Sequence, residues 1–229
     1  MALSATACAT TAPGGRADPL EPLNRAVFAV NELLDDVVAE PTARVYVAVI
    51  PEALRVTASN VFDNLRDLWT AANQLLQGKP REAMSDLGRF LINSTFGFAG
   101  FADIASDLGF ERHREDFGQT LGRWGMPQGP YLVLPVFGPS TVRDGVGLSA
   151  DMLADPVGAI DPIDARNAAR GLRIVDTRAS LLKAGRVLEG AALDKYTFVR
   201  DGYLQRRRSL VWDGDPPPDP DDERAPTED

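Results

Sequence analysis

Pro51-Glu-Ala-Leu-Arg-Val-Thr-Ala-Ser-Asn-Val-Phe-Asp-Asn-Leu-Arg-Asp-Leu-Trp-Thr-Ala-Ala-Asn-Gln-Leu-Leu-Gln-Gly78 reads as one long amphipathic helix. Leu54, Ala58, Val61, Phe62, Leu65, Leu68, Trp69, Ala72, Leu75 and Leu76 recur at helical spacing and make a single apolar stripe. The opposite face carries Arg55, Ser59, Asn60, Asp63, Arg66, Asp67, Asn73 and Gln74. Gly78 stops the pattern, and Pro80 opens a second helix with Ala83, Met84, Leu87, Phe90, Leu91 and Thr95. A glycine-aromatic corner, Phe96-Gly-Phe-Ala-Gly-Phe101, follows, then a short helical turn to Leu108.

Outward from this pair the punctuation is helical in both directions. Asp18-Pro19 is a cap signal for a first helix with apolar residues at Leu23, Val27, Val30 and Leu34, which Pro41 is predicted to end. Downstream, Val142 to Leu153 reads as a helix closed by Asp155-Pro156. Asp161-Pro162 restarts the chain into a long helix to about Leu188, whose buried edge is predicted at Leu172, Val175, Ala179 and Leu182. Asp194 caps a last helix through Tyr196, Val199 and Tyr203, ending in Arg206-Arg-Arg208, where cations suit the negative end of the helix dipole. Strand signals are weak throughout, so the expected fold class is all-α.

Phe117 to Gly138 breaks the rhythm. Glycines at 118, 122, 125, 129 and 138 alternate with Phe117, Trp124, Tyr131 and Phe137, while Pro127, Pro130 and Pro135 exclude a long helix and a central strand. Irregular backbone in so apolar a segment must be packed in protein or line a wet cavity. It reads either as a binding or gating loop or as an ordinary connection between helices. On the first reading Leu121 to Pro135 is a mobile loop, with Gly125 and Gly129 as hinges beside Leu121, Gly122, Trp124, Pro130 and Tyr131.

The 229 residues suffice for one domain, expected over 18–212, with tails at 1–17 and 213–229. The formal charge of −9 is concentrated: Asp213 to Asp229 holds eight acids and one Arg, a net −7, which leaves −2 for the rest. A nearly neutral body offers no electrostatic footprint for nucleic acid. No run of 18 apolar residues exists; the longest candidate, Val45 to Ile50, stops at Pro51, which excludes a transmembrane helix. The one cysteine, Cys8, stands in Leu3-Ser-Ala-Thr-Ala-Cys8, ahead of a polar, Pro/Gly-containing stretch to Asp18. Small residues before a cysteine suit a lipoprotein processing site with Cys8 acylated, although Ala5 stands where Leu is usual. Only seven residues precede Cys8, so more of a signal peptide is expected upstream.

Signs of chemistry are few. The single histidine, His113, lies among charged neighbours in Glu111-Arg-His-Arg-Glu-Asp116, without a G-x-S-x-G elbow or a second ligand, so neither a catalytic residue nor a metal site is expected. No cofactor is expected. Arg166, Arg170 and Arg173 share a helical face that either meets lipid phosphates or is simply solvated.

Several motifs together resemble the MlaA (VacJ) family of outer-membrane lipoproteins. They are Asp18-Pro-Leu-Glu-Pro-Leu-Asn-Arg-Ala-Val-Phe28 with Asn31, which contains Asn24 and Arg25; Ser59-Asn60; Asn64-Leu65; and Leu76-Gln-Gly-Lys-Pro80. Gly88-Arg-Phe-Leu-Ile-Asn93, Asp116-Phe-Gly-Gln-Thr-Leu-Gly122, Gly129-Pro-Tyr-Leu-Val-Leu-Pro135, Gly138-Pro-Ser-Thr-Val-Arg-Asp144 and Arg178-Ala-Ser-Leu-Leu182 continue the match. The resemblance implies a ring of amphipathic helices around a central amphipathic channel, embedded in the outer membrane without a transmembrane helix. It implies a lipid-anchored protein on the periplasmic side of a Gram-negative outer membrane, beside a trimeric porin. Such a protein removes phospholipid from the outer leaflet and passes it to the periplasmic carrier MlaC, which preserves lipid asymmetry and makes or breaks no bond. Two other readings stay open here: a lipid-anchored helical scaffold without a channel, and a lipase acting on the same lipids.

Overall fold

The computed structural model describes residues 18–191 and 194–218. The expectations for Cys8, for the segment 1–17 and for most of the acidic tail lie outside the described residues. Asp18 closes a turn ahead of the first helix rather than capping it: its Oδ1 accepts from the Leu20 N–H at 3.0 Å, and α1 runs Glu21–Leu34.

Pro41 does not end that helix. After α1 the chain passes through a π-helical segment, Asp35–Ala39, and continues as α2, Glu40–Val49. The Glu40 N–H donates to the Asp35 carbonyl five residues back. This widened turn accommodates a proline ring that would clash with the i−4 carbonyl of a regular helix. Arg178, far along the chain, grips both flanks, donating to Asp35 at 2.6 and 2.7 Å and to Glu40 at 2.9 Å.

The central helix is α3, Glu52–Leu76; Gly78 turns it at φ +78° into α4, Pro80–Thr95. The aromatic corner leads to α5, Ile104–Asp107, and an extended loop to α6, Phe117–Arg123. Strands β1, Tyr131–Leu134, and β2, Gly138–Thr141, form an antiparallel hairpin with Tyr131 opposite Thr141 and Leu134 opposite Gly138. The irregular stretch is therefore shorter than the sequence suggests, spanning Trp124 to Pro130 between α6 and β1. Pro127 and Pro130 lie outside the ladder, Pro135 just beyond β1 and Pro139 inside β2, so prolines that exclude a central strand still permit a two-stranded ribbon. The class remains all-α, with this hairpin as the one sheet among the described residues.

Helix α7, Val142–Ala154, is capped by Thr141, and a 3₁₀ turn, Pro156–Ala159, leads to α8, Ile163–Ala191. Helix α9, Lys195–Val211, starts at Asp194, whose carboxylate accepts from the Tyr196 N–H at 3.1 Å. The expected buried edge of α8 is partly wrong. Leu172 is 41 % exposed, and the face turned inward carries Arg173, Asp176 and Arg178.

The packing closes on itself. Helix α1 lies on β1, the hairpin on α9, α9 on α6, α6 on α3, α3 on α8, α8 on α2, and α2 returns through the π segment to α1. Helix α4 flanks α3, and α7 flanks α6 and the hairpin. No described helix is long and apolar enough to cross a membrane.

Candidate functional site

Most of the fully buried side chains are polar, beside a smaller apolar cluster of Tyr131, Val133, Tyr196 and Leu204. The largest fully buried side chains include Arg89, Gln74, Gln119, Asn24, Asn73 and Asn93, whereas Leu153, Phe98 and Val136 are 89 %, 80 % and 73 % exposed. On α3, Asn64, Asp67, Thr70, Asn73 and Gln74 are buried while Leu54, Leu68, Leu75 and Leu76 face outward. Water alone would drive the opposite arrangement, since each large apolar side chain left exposed forgoes about 1.5–3 kcal/mol. A polar interior within an apolar exterior fits a chain whose outer surface meets lipid.

Buried polar groups have to satisfy one another. Arg89 of α4 donates to Asp103 at 2.9 Å, to the Phe110 carbonyl at 2.8 Å and to Asp67 of α3 at 3.3 Å, while Asn93 donates to Asp103 at 2.9 Å. Thus the Gly88–Asn93 motif ties two helices to the corner and loop that follow. His113 is not simply solvated: its Nδ1 sits 2.9 Å from the fully buried Asp86, which anchors the loop to α4. Thr120 donates to Asn73 at 2.7 Å, and Gln77 and Lys79 reach Glu115 at 2.9 and 3.2 Å; burial pushes the Glu115 carboxyl up against those two partners.

Asn24 and Asn31 act as a missing strand. The Asn24 Nδ2 donates to the Tyr131 carbonyl at 3.0 Å and its Oδ1 accepts from the Val133 N–H at 2.9 Å. Asn31 repeats this on the Leu134 carbonyl at 2.9 Å and the Val136 N–H at 2.8 Å. Seven helical residues advance about 10.5 Å and return to nearly the same face. Three strand residues advance about 10 Å. Asn24 therefore covers the edge of β1 that β2 leaves bare, and Asn31 holds the end of β1 and the turn that follows it. Both asparagines stand in a motif quoted above, but their target lies more than a hundred residues away, and only the seven-residue spacing of like amides hinted at it.

The remaining first-helix residues hold the same region. Arg25 pairs with Glu21 at 2.7 Å and Asp194 at 2.6 Å and lies 4.4 Å over the Tyr196 ring. That guanidinium, helped by Thr197, holds the Asp194 carboxyl well below the usual carboxylate range. Phe28 meets Tyr196 edge-on at 5.7 Å, and Tyr131 stands 6.1 Å from both Tyr196 and Tyr203.

The expected gating loop divides. Leu121 and Gly122 belong to α6; a Cβ on Gly122 would lie 2.9 Å from Arg143 Nη1 and Val211 Cγ1, so this glycine permits packing rather than hinging. Trp124 is tied down, its Nε1 donating to the Leu76 carbonyl at 2.8 Å and its ring edge-on to Phe117 at 5.9 Å. Gly125 and Gly129 adopt φ +90° and +70°, and the open space around Gly125 leaves conformation as its one constraint. Pro130 is exposed, whereas Tyr131 is buried on β1.

Sequence reading missed a second centre. Arg207, expected as a dipole-matching surface cation, is buried on α9, forms a bidentate pair with Asp116 and reaches Asp144 at 2.9 Å. Tyr203 donates to Asp144 at 2.8 Å. Beside it a cleft of about 350 Å³ opens between α3, the loop into α6, and α9, with Arg66, Arg114, Arg206 and Arg207 in its wall. Arg173, one of three arginines expected to share a face, is bound to Asp155 at 2.6 and 3.0 Å. Among the described residues, Asp35, Asp36 and Glu40 bring carboxylates within 4.8 Å of one another, and Arg178 holds Asp35 and Glu40 of the three.

Comparison with known proteins agrees with this architecture. The family model for MlaA lipoprotein matches residues 16–210. The intermembrane phospholipid transport system lipoprotein MlaA of Shigella flexneri is 34 % identical, over 88 % of this chain and 81 % of that protein. The Escherichia coli K12 protein of the same name is 33 % identical over the same shares, and that of Haemophilus influenzae 30 % over 93 % and 88 %. A solved structure described as "Structural basis for maintenance of bacterial outer membrane lipid asymmetry" superposes with a TM-score of 0.75 at 32 % identity, over 86 % of this chain and all of that one.

Proposed function

This chain belongs to the MlaA lipoprotein family, and on that ground we propose that it removes misplaced phospholipid from the outer leaflet of an outer membrane and delivers it toward the periplasm. The observation that carries the reading is a closed circuit of helices whose fully buried side chains are mostly polar and whose exposed ones include many large apolar residues. A phospholipid leaving a leaflet needs a polar route for its head group, because moving a phosphate through hydrocarbon is prohibitive, and apolar surface for its tails. A ring of helices with polar groups on one side and apolar side chains on the other can supply both kinds of surface.

The ring's helices lie with their apolar faces toward the acyl chains, and the polar interior forms the channel. Cys8, acylated, fixes the chain to the periplasmic side. A trimeric porin packs against the apolar wall, and the soluble carrier MlaC takes the lipid from the periplasmic opening. The segment between Trp124 and β1 holds two glycines with positive φ, and it moves about Gly125 and Gly129 to admit lipid. The relatives above carry the name of phospholipid transport lipoproteins, and the proposed passage of lipid needs no bond chemistry.

The test is a strain lacking this protein, scored for phospholipid exposed at the cell surface. Restoring the full-length protein should return exposure to the wild-type level. Persistent exposure despite normal abundance would overturn the proposal. A fragment beginning at Asp18 should still require detergent, which separates an embedded ring from a tethered soluble scaffold.

A further inference from the structure

We propose that the cleft between α3, the loop into α6, and α9 is the station that holds the phosphate of the phospholipid in transit. This rests on the transport reading and places a specific binding step within it. The wall holds four arginines, Arg66, Arg114, Arg206 and Arg207, against two carboxylates, Glu115 and Asp116, a surplus of two positive charges by subtraction.

The pairings decide which charges are free to bind. Arg207 is consumed by Asp116 and Asp144, and Glu115 by Gln77 and Lys79. Arg66 and Arg114 share one carboxylate, Asp63, at 3.0 and 3.7 Å, and Arg112 holds the same group at 2.8 Å. Arg206 has no carboxylate within ion-pair distance among the described residues. Three guanidinium groups thus face one cleft with a fraction of one anion among them. Guanidinium forks match the oxygens of a phosphodiester, and Arg is the residue suited to that recognition. Gln119, 2 % exposed in the same wall, keeps its Oε1 without a partner, an acceptor for a hydroxyl or ammonium of the head group.

Free phosphate would offer the same anion, so the surroundings decide between the two sources. Leu210 and the ring of Tyr203 line the cleft beside the arginines. Apolar surface at the rim of a cationic cleft has a use for acyl chains and none for a bare ion. A volume of about 350 Å³ falls in the range of sites that enclose small ligands.

The test uses the full chain in detergent and the variant R114Q/R206Q, which removes two side chains without a tight ion pair. Probes are dihexanoyl phosphatidylglycerol, dihexanoylglycerol, which lacks the phosphate, and inorganic phosphate. Wild type should bind the phospholipid more tightly than either comparison compound, and the variant should lose at least tenfold toward the phospholipid with dihexanoylglycerol unchanged. If the double variant melts below wild type, R206Q alone, at an exposed position, should show the same selective loss about half as large on a logarithmic scale. Equal phospholipid binding by wild type and variant would overturn the station. So would inorganic phosphate binding as tightly as the lipid, which would mark a site for free anions. Normal surface lipid in cells carrying the variant would sink this proposal while the transport reading stands. Failure of the wild-type chain to clear surface lipid would sink both.

Discussion

Replacing Asn24 by leucine tests whether one side chain stands in for a strand. The amide is 1 % exposed and serves the Tyr131 carbonyl and the Val133 N–H, on residues that are themselves buried. N24L orphans both groups, at about 1–3 kcal/mol each. Burying the added hydrocarbon returns about 1 kcal/mol, so a net loss of about 1–5 kcal/mol is expected. For a domain of this size that corresponds to a melting point lower by about 2–20 °C. N24D is the sharper variant. It keeps the acceptor for Val133 but removes the donor to Tyr131 and places a carboxylate beside Asp18, which Asn24 now contacts at 3.2 Å. Its new carboxyl should have a folded pKa raised above about 3.9. The penalty is therefore full at neutral pH and relieved as pH falls through that raised value, when the protonated group again donates. The assay is thermal unfolding of the detergent-solubilised chain from pH 4 to 7, with amide exchange read at Val133. A melting point for N24L within a degree of wild type, with the Val133 amide still protected, would refute the reasoning.

Asn31, half-buried with Val136 exposed beside it, should cost only about 1 kcal/mol as N31L, because water can replace the lost amide; this is read by the same melt. Gly147→Val should abolish stable folding, since even a Cβ there would lie 2.4 Å from the Gly118 nitrogen at the α6–α7 crossing, and solubility after extraction reports it. R207L should destabilise by about 1–3 kcal/mol, because half-buried Asp116 loses its bidentate partner while Asp144 keeps Arg143 and Tyr203, measured by denaturant titration in detergent. Val at both Gly125 and Gly129 should leave an abundant protein that fails to clear surface phospholipid. Normal clearance would end the hinge idea, and loss of the protein would favour a static turn.

Much of the helical frame was legible. Gly78 and Pro80 bound α3 and α4, and Asp194 caps α9, each through its own backbone chemistry. Pro41 misled because its effect depends on a partner the local sequence does not show. Arg178 of α8 holds Asp35 and Glu40 on either side of a π segment that makes room for the ring. The hairpin escaped for the same reason. Its four-residue strands are flanked and interrupted by proline, and the bonds that make its edge tolerable come from α1.

The amphipathic pattern carried a deeper ambiguity, because a stripe fixes which residues share a face and leaves open which face turns inward. In water the apolar stripe would go inside, so Asp67, Asn73 and Gln74 would be taken for surface residues; in the structure they are interior. What distinguishes the two cases is the chemistry of the polar face. A solvated face needs only charge, whereas an interior one must offer donors and acceptors that can pair with each other at short range. The inward face of α3 is rich in Asn, Gln and Thr, and its charged residue Asp67 meets Arg89 from α4. The same holds for Asn24 and Asn31 on α1 and Asn93 on α4. Carboxamides, which donate and accept from one group, are the economical choice where water is scarce and every backbone edge has to be matched. A run of helices whose polar faces are carboxamide-rich and whose apolar faces are broad is therefore a signature of a ring turned inside out, readable before any coordinate is known.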